Sequence, residues 1–241
     1  MTFDRGIGRR TPFTGEFVAT FLILHSLKAF CWYELLVAVY DRKKEGGGIR
    51  MCGRYFFDLE SELLQNYYRE AQKKQPEQAA ELAAGEVFPS NLVVTLRKKE
   101  GNNLTPEIMK WGFTGFKKGQ LMINARAETV EEKKTFHQPF LQNRCVFPMS
   151  GFYEWNEEKD KFMFSNKEKI VYIGGFYRSH HDEKTAESII MTTEPNRTVA
   201  PIHDRMPLVL TEEQIEPWVI DISFARKIIT QQMPELVMEK V

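Results

Sequence analysis

From residue 53 onward the apolar positions fall in short runs separated by polar or turn-forming clusters. Gly53-Arg54-Tyr55-Phe56-Phe57 predicts a short strand. Leu59 to Gln72 has Leu63, Leu64, Tyr67 and Tyr68 near helical spacing and predicts a helix with these residues on one side. The polar stretch to Gly85 predicts a loop with a little helix, and Val87-Phe88-Pro89-Ser90 a turn. Strands are predicted over 92–96 and 107–113, with Glu100-Gly101-Asn102-Asn103 as a hairpin turn. Met122 to Thr129 leads from a strand into a charged, helix-patterned segment, residues 130–143. Further strands are predicted over 144–149, over 162–164 and 170–176 around a turn at Asn166, over the apolar run 188–193, and over 208–210. Thr211-Glu212-Glu213 reads as a capped helix start, and the rest as helix running to a tail, PELVMEKV. Strands outnumber helices and connections are short. The pattern therefore predicts one α+β domain, with a curved or barrel-like, mainly antiparallel sheet and peripheral helices.

Residues 1–50 read differently. Phe17 to Tyr40 is apolar enough and long enough to suggest a membrane span. Lys28 and Glu34 lie inside it, however, and each costs about 2.5–3.5 kcal/mol near the bilayer centre. Arg5, Arg9 and Arg10 before the run Phe17–Leu24 resemble a signal peptide, but no small-residue cleavage site follows closely. The preferred reading is an over-extended start. The codons for Lys43-Lys44-Glu45-Gly46-Gly47-Gly48 can contain a purine-rich, ribosome-binding-like run just upstream of Met51. On this reading residues 1–50 are a non-native or weakly structured leader, Met51 is the start, and residues 51–241 are the working domain.

Composition changes the picture modestly. The chain has 241 residues with 33 basic and 33 acidic side chains, so no global polycation signal points to nucleic acid. Residues 1–50 hold 8 Lys and Arg against 5 Asp and Glu, which leaves 25 against 28 in 51–241. Any nucleic-acid binding then rests on a local patch. Cys31, Cys52 and Cys145 lack a disulfide-framework spacing, which points to a reducing compartment, the cytoplasm. No Cys/His cluster has zinc spacing, there is no Gly-rich phosphate loop, and no membrane association is expected of 51–241.

A few residues could carry chemistry. With Met51 removed, Cys52 would hold an α-amine and a thiol on adjacent carbons. An α-amine has a reference pKa of about 7.7–8.0, so part of it is neutral at physiological pH. Nearby cations such as Arg54 would favour the thiolate. The alternative is a buried cysteine acting as a small hydrophobe. Glu154 lies between aromatics and, if buried, needs a partner or a raised pKa; otherwise it is an edge-strand residue facing solvent. His203 has the most distinctive surroundings of the five histidines and suits proton shuttling, although a lone loop histidine is more often structural. Strand geometry puts Asn124 and Arg126 on one face. Arg54 and Arg126 suit either phosphate contacts or internal salt bridges with Glu128 or Glu154.

Taken together, these segments resemble the SRAP family, which recognises abasic sites in single-stranded DNA. The matching stretches are Met51-Cys52-Gly53-Arg54-Tyr55, Trp111-Gly112, Asn124-Ala125-Arg126-Ala127-Glu128-Thr129, Arg144-Cys145 leading to Gly151-Phe152-Tyr153-Glu154-Trp155, and His203-Asp204-Arg205-Met206-Pro207. The resemblance implies that Cys52 forms a thiazolidine cross-link with the ring-opened abasic aldehyde. It also implies that Asn124 positions the cysteine or the sugar, that Glu154 and His203 handle protons, and that Arg54 and Arg126 contact phosphates. A lyase activity through the imine and a peptidase activity tied to exposing the cysteine are implied as well; no metal or organic cofactor is, and a monomer is expected. The chain departs from the family pattern at Glu86-Val87-Phe88-Pro89, where an amide that would contact phosphate becomes a carboxylate. It is short after Trp111-Gly112, leaving Phe113 and Phe116 as substitutes for base-stacking aromatics, and short again after Trp218. Two other readings stand beside this one: a cysteine peptidase using Cys52 with His203 and Glu154, and a non-enzymatic nucleic-acid binder.

Overall fold

The computed structural model describes residues 53–99, 103–179 and 185–241, together with Met1. The expectations for the leader, for Met51 and for Cys52 lie outside the described residues. In chain order the elements are β1 (Tyr55–Phe57), α1 (Glu62–Lys74), β2 (Gly85–Val87), β3 (Leu92–Lys98), β4 (Leu104–Trp111), β5 (Phe113–Thr114), β6 (Leu121–Met122) and β7 (Asn124–Arg126). Then come α2 (Lys134–Gln142), β8 (Arg144–Met149), β9 (Gly151–Trp155), β10 (Lys161–Ser165), β11 (Val171–Arg178), β12 (Glu187–Thr193), β13 (Met206–Pro207), β14 (Val209–Leu210), α3 (Glu212–Ile220), α4 (Ile222–Ile228) and β15 (Val237–Lys240). The α+β class and the mainly antiparallel pairing are as expected. So is the curvature, because β12, β4, β3, β8 and β11 pair in succession and β11 returns to β12, closing a ring. Within it, β12 pairs parallel with β4 and, further along the same edge, with β7.

A second, five-stranded sheet runs β15-β10-β9-β1-β2, antiparallel throughout. The chain crosses from ring to sheet at one residue, Ser150, between β8 and β9. Its backbone N–H donates to the Phe56 carbonyl at 2.8 Å and its hydroxyl accepts from the Asp58 N–H at 3.0 Å. The turn at Asn166 makes the reverse crossing. It is a turn as predicted, with the Ile170 N–H donating to Asn166 Oδ1 at 2.9 Å. However, β10 pairs with β9 and β15, whereas β11 pairs with β8, β12 and β14. A short turn therefore separates two sheets instead of joining a hairpin.

The core where α2 and α3 pack on the ring is aromatic. Phe113, Phe136, Phe140, Phe176 and Trp218 form a chain of ring contacts with centroids 5.7–6.3 Å apart, each such pair adding about 0.5–1.5 kcal/mol beyond burial. Arg144 is buried beside it, 4% exposed. Its guanidinium donates to the carbonyls of Phe140 and Leu141 at the end of α2, and of Trp218 and Val219 near the end of α3, at 2.6–3.1 Å. These are carbonyls that a helix terminus leaves without intrahelical partners, so the arginine ties two helix ends to β8. The capped start of α3 is present, with Thr211 and Gln214 forming a capping box.

Several local expectations are corrected. Leu64 and Ala71 are the buried residues of α1, whereas Leu63, about 100° round the helix, is 36% exposed. Val87 belongs to β2, and the turn proper follows it, with Ser90 at φ 75°. The tail is a strand rather than helix or coil: β15 lies along β10 with Phe164 opposite Met238. Its four residues are all exposed, so no hydrophobic alternation announces it.

Candidate functional site

Strand pairing fixes the surroundings of the Gly53-Arg54-Tyr55 motif. In β1, Tyr55 and Phe57 are buried and Phe56 is half-buried. Tyr55 lies opposite Phe152 of β9, Phe56 lies opposite Gly151, and the Tyr153 N–H donates to the Arg54 carbonyl at 2.9 Å. The same register, continued one step toward the start of the chain, sets Gly53 across from Glu154. Side chains alternate along a strand. Tyr55, Phe57, Val87, Phe152, Glu154 and Phe164 therefore share an inner face, and Arg54, Glu86, Tyr153, Trp155 and Lys161 share an outer one. Glu154 is 3% exposed, and Phe162 lies opposite it on β10. Of the two alternatives, the solvent-facing edge residue is excluded: Glu154 is a buried carboxylate on an inner strand.

Two contacts tie this inner face to Asn124. The Tyr55 ring lies 5.3 Å from the Trp111 ring, and the Trp111 indole N–H donates to the carbonyl of Ile123 at 3.2 Å. Asn124 follows Ile123, is 7% exposed, and lies opposite Ile190 of β12. Gly112, next to Trp111, adopts φ +119°, and a Cβ there would lie 2.7 Å from the Leu121 side chain. Both residues of the Trp-Gly pair are thus required by packing. Asn124 and Arg126 occupy one strand as expected, the first buried and the second exposed at the strand end.

His203 lies in the loop before β13, which pairs with one edge of β12, and β7, carrying Asn124, pairs with the other edge. The Arg205 backbone N–H donates to His203 Nδ1 at 3.1 Å, so the neutral ring carries its proton on Nε2. Asp204 Oδ1 also lies 3.1 Å from Nδ1, placed to accept its proton when the ring is charged. Arg205 forms a two-pronged pair with Glu128 at 2.8 and 2.9 Å and donates to the Thr192 carbonyl at 2.9 Å. Burial acts to raise the Glu128 pKa, but the Arg205 bonds and the charges of Arg205 and Arg126 outweigh it and leave the carboxyl below its ordinary value. Arg205, not Arg126, is therefore the cross-linking partner of Glu128, and it anchors the histidine loop to β12. The sequence shows both residues inside motifs; their pairing, 77 positions apart, leaves no local signal.

On the outer face Arg54 pairs with Glu86 at 3.3 Å, and not with Glu154. Alternation explains this, because Arg54 and Glu154 point to opposite faces of one sheet. Lys161 also meets Glu86, at 2.8 Å. The substitution at Glu86-Val87-Phe88-Pro89 thus adds a carboxylate between two cations. Of the two aromatics proposed for base stacking, Phe113 is corrected: it is fully buried in the aromatic core, with the Arg178 guanidinium 4.6 Å from its ring centre. Phe116 is exposed. Cys145 is fully buried, and burial pushes its thiol well above the ordinary range, so it behaves as a small hydrophobe. Among the described residues no group of three or more His, Cys, Asp or Glu is placed to hold a metal ion, and no helix is long and apolar enough to cross a membrane.

Fold and site together define an α+β domain with a buried carboxylate on β9 beside β1, a buried amide on β7 and a histidine in the loop before β13. The chain belongs to the SRAP family, described as SOS response associated peptidase, whose profile covers residues 51–239. It is similar to the abasic site processing protein YoqW of Bacillus subtilis (strain 168), 35% identical over 146 residues, which is 55% of this chain and 65% of that protein. The chain thus matches just under two thirds of that relative's length. It is also similar to the abasic site processing protein YedK of Escherichia coli (strain K12), 24% identical over 180 residues, 70% of this chain and 79% of that protein. A crystal structure of a Bacteroides thetaiotaomicron protein shares the fold, with a TM-score of 0.62 at 20% identity over 79% of this chain and 92% of the other.

Proposed function

We propose that this protein captures abasic sites in single-stranded DNA through Cys52, made amino-terminal by removal of Met51. The ring-opened abasic sugar presents an aldehyde. The neutral α-amine of Cys52 adds to it and water leaves, giving an imine. The thiolate then adds to the imine carbon, the nitrogen takes a proton, and a thiazolidine closes. Elimination from the imine before closure would give the associated lyase activity. The observation that carries this reading is the β1–β9 register: Cys52 is joined directly to Gly53, and that register sets Gly53 across from the buried Glu154. A carboxylate in a dry layer is suited to taking and returning the protons that carbinolamine formation and dehydration require. His203, with its neutral-ring proton on Nε2, is a donor for the departing hydroxyl or the opening sugar oxygen. Asn124 positions the cysteine or the sugar, and Arg54 and Arg126 hold phosphates flanking the lesion. The abasic-site-processing names of the relatives support the same chemistry.

The test is intact mass after incubation with a single-stranded oligonucleotide carrying one abasic site. A chain beginning at Cys52 is expected to gain the oligonucleotide mass less one water, and acetylating its α-amine while leaving the thiol free should abolish the gain. Undiminished reaction after acetylation would refute the proposal and favour a thiol-only mechanism of the peptidase kind.

A further inference from the structure

We infer that Arg54 and Lys161 form a phosphate-binding subsite on the outer face of the five-stranded sheet, and that Glu86 closes this subsite in the free protein. This rests on the single-stranded DNA reading above for Arg54 and extends it to two residues to which that reading gives no role. The site is built across four neighbouring strands: Lys161 on β10, Tyr153 and Trp155 on β9, Arg54 at the head of β1, and Glu86 on β2. Two cations reach a single oxygen, Glu86 Oε1, at 3.3 Å from Arg54 Nη1 and 2.8 Å from Lys161 Nζ. Among these three groups two cations share one carboxylate.

The cations are held by more than the carboxylate. The Arg54 guanidinium carbon lies 4.6 Å from the Phe88 ring centre and 5.0 Å from that of Trp155. Lys161 Nζ lies 3.8 Å from the Tyr153 ring centre and 5.8 Å from that of Trp155. Aromatic faces attract and orient such cations independently of any anion. If Glu86 swings away, both donors stay aimed at the place its oxygen occupied. Glu86 is the most solvent-exposed of the three charged groups, 34% against 26% for each cation, and ion pairs this open to water contribute little to stability. A phosphodiester brings two non-bridging oxygens that share one negative charge, matches the guanidinium fork and the ammonium together, and displaces the carboxylate. Lys161 is thus a phosphate ligand, and Glu86 an internal competitor that weakens non-covalent binding until a strand is bound.

The test is equilibrium binding of the full chain to an intact single-stranded oligonucleotide, by fluorescence anisotropy across a range of NaCl concentrations. The variants are E86Q, K161Q, the double variant and, as a control for simple loss of negative charge, E62Q on α1, each checked by thermal unfolding. E86Q should tighten binding roughly fivefold at low salt, more than E62Q does, and the double variant should lose that gain. K161Q alone should reduce the slope of log K against log salt by about 0.7, the value for one phosphate contact on a single strand, and this holds as a test even if E86Q misfolds. An E86Q no tighter than E62Q, a gain that survives K161Q, or an unchanged slope in K161Q would overturn the inference. The oligonucleotide carries no aldehyde, so the result is independent of Cys52. The expected shifts in a protein that never cross-links would refute the proposed chemistry alone. Cross-linking with unmoved affinity and salt slopes would refute this subsite alone.

Discussion

The two faces of the five-stranded sheet carry opposite chemistry on the same strands. The inner face of β1, β2, β9 and β10 is aromatic and dry, and Glu154 sits in it at 3% exposure. One residue to either side along β9, Tyr153 and Trp155 turn to the outer face, where they hold Lys161 and Arg54 beside Glu86 in contact with water. The period-two alternation of a strand is what makes this separation possible. The buried Glu154 and the cluster of Arg54, Lys161 and Glu86 thus lie on opposite faces of the same strands. Under the proposed function, the inner face makes the bond and the outer face holds the strand.

Gly151 is where the comparison breaks most completely. A Cβ there would lie 2.5 Å from the Phe164 backbone carbonyl and 2.9 Å from the Met163 side chain. Gly151→Ala has to push β9 from β10, at a cost of about 3 kcal/mol, the upper part of the overpacking range. Chemical denaturation should show that loss, with cross-linking and strand binding failing together. Arg54→Gln acts on the outer face, where the side chain meets Glu86 and Trp155. Removal of one charge-assisted bond should weaken binding of an intact oligonucleotide roughly tenfold at low salt while leaving the cross-linking rate at saturation close to wild type. A large fall in the saturated rate with unchanged affinity would place Arg54 in the chemistry instead.

What could be read from the sequence follows from how local each signal is. The strands β3 and β4, α1, the apolar strand β12 and the capped start of α3 all show in short windows, because period and capping are local properties, while most of the turn expected at Glu100-Gly101-Asn102-Asn103 lies outside the described residues. The same is true of Asn124 and Arg126 sharing one strand. The partner across a turn is not local. Asn166 announces a turn but not that it separates a sheet from a ring, and the exposed strand β15 has no pattern because it is held by backbone pairing and a surface ion pair between Lys240 and Asp160. At the site, Glu154 among aromatics signals a choice between burial and an edge position, and only the position of β9 between β1 and β10 decides it. Arg54 finds Glu86 and Arg205 finds Glu128 across 32 and 77 residues, and no spacing rule links such pairs. Phe113 is as apolar as an exposed stacking residue would be. Its burial follows from the Phe136 and Phe176 rings that meet it from distant elements.

The most direct test of the division between faces is Glu154→Gln, followed on one pair of oligonucleotides. The single-turnover cross-linking rate at saturating abasic strand and the Kd for the intact strand are measured together. Loss of a positioned proton-transfer group should lower the rate by about 10²-fold, with the Kd changed by less than about twofold because no outer-face contact is lost. Wild-type cross-linking, or a Kd that worsens in step with the rate, would contradict the account.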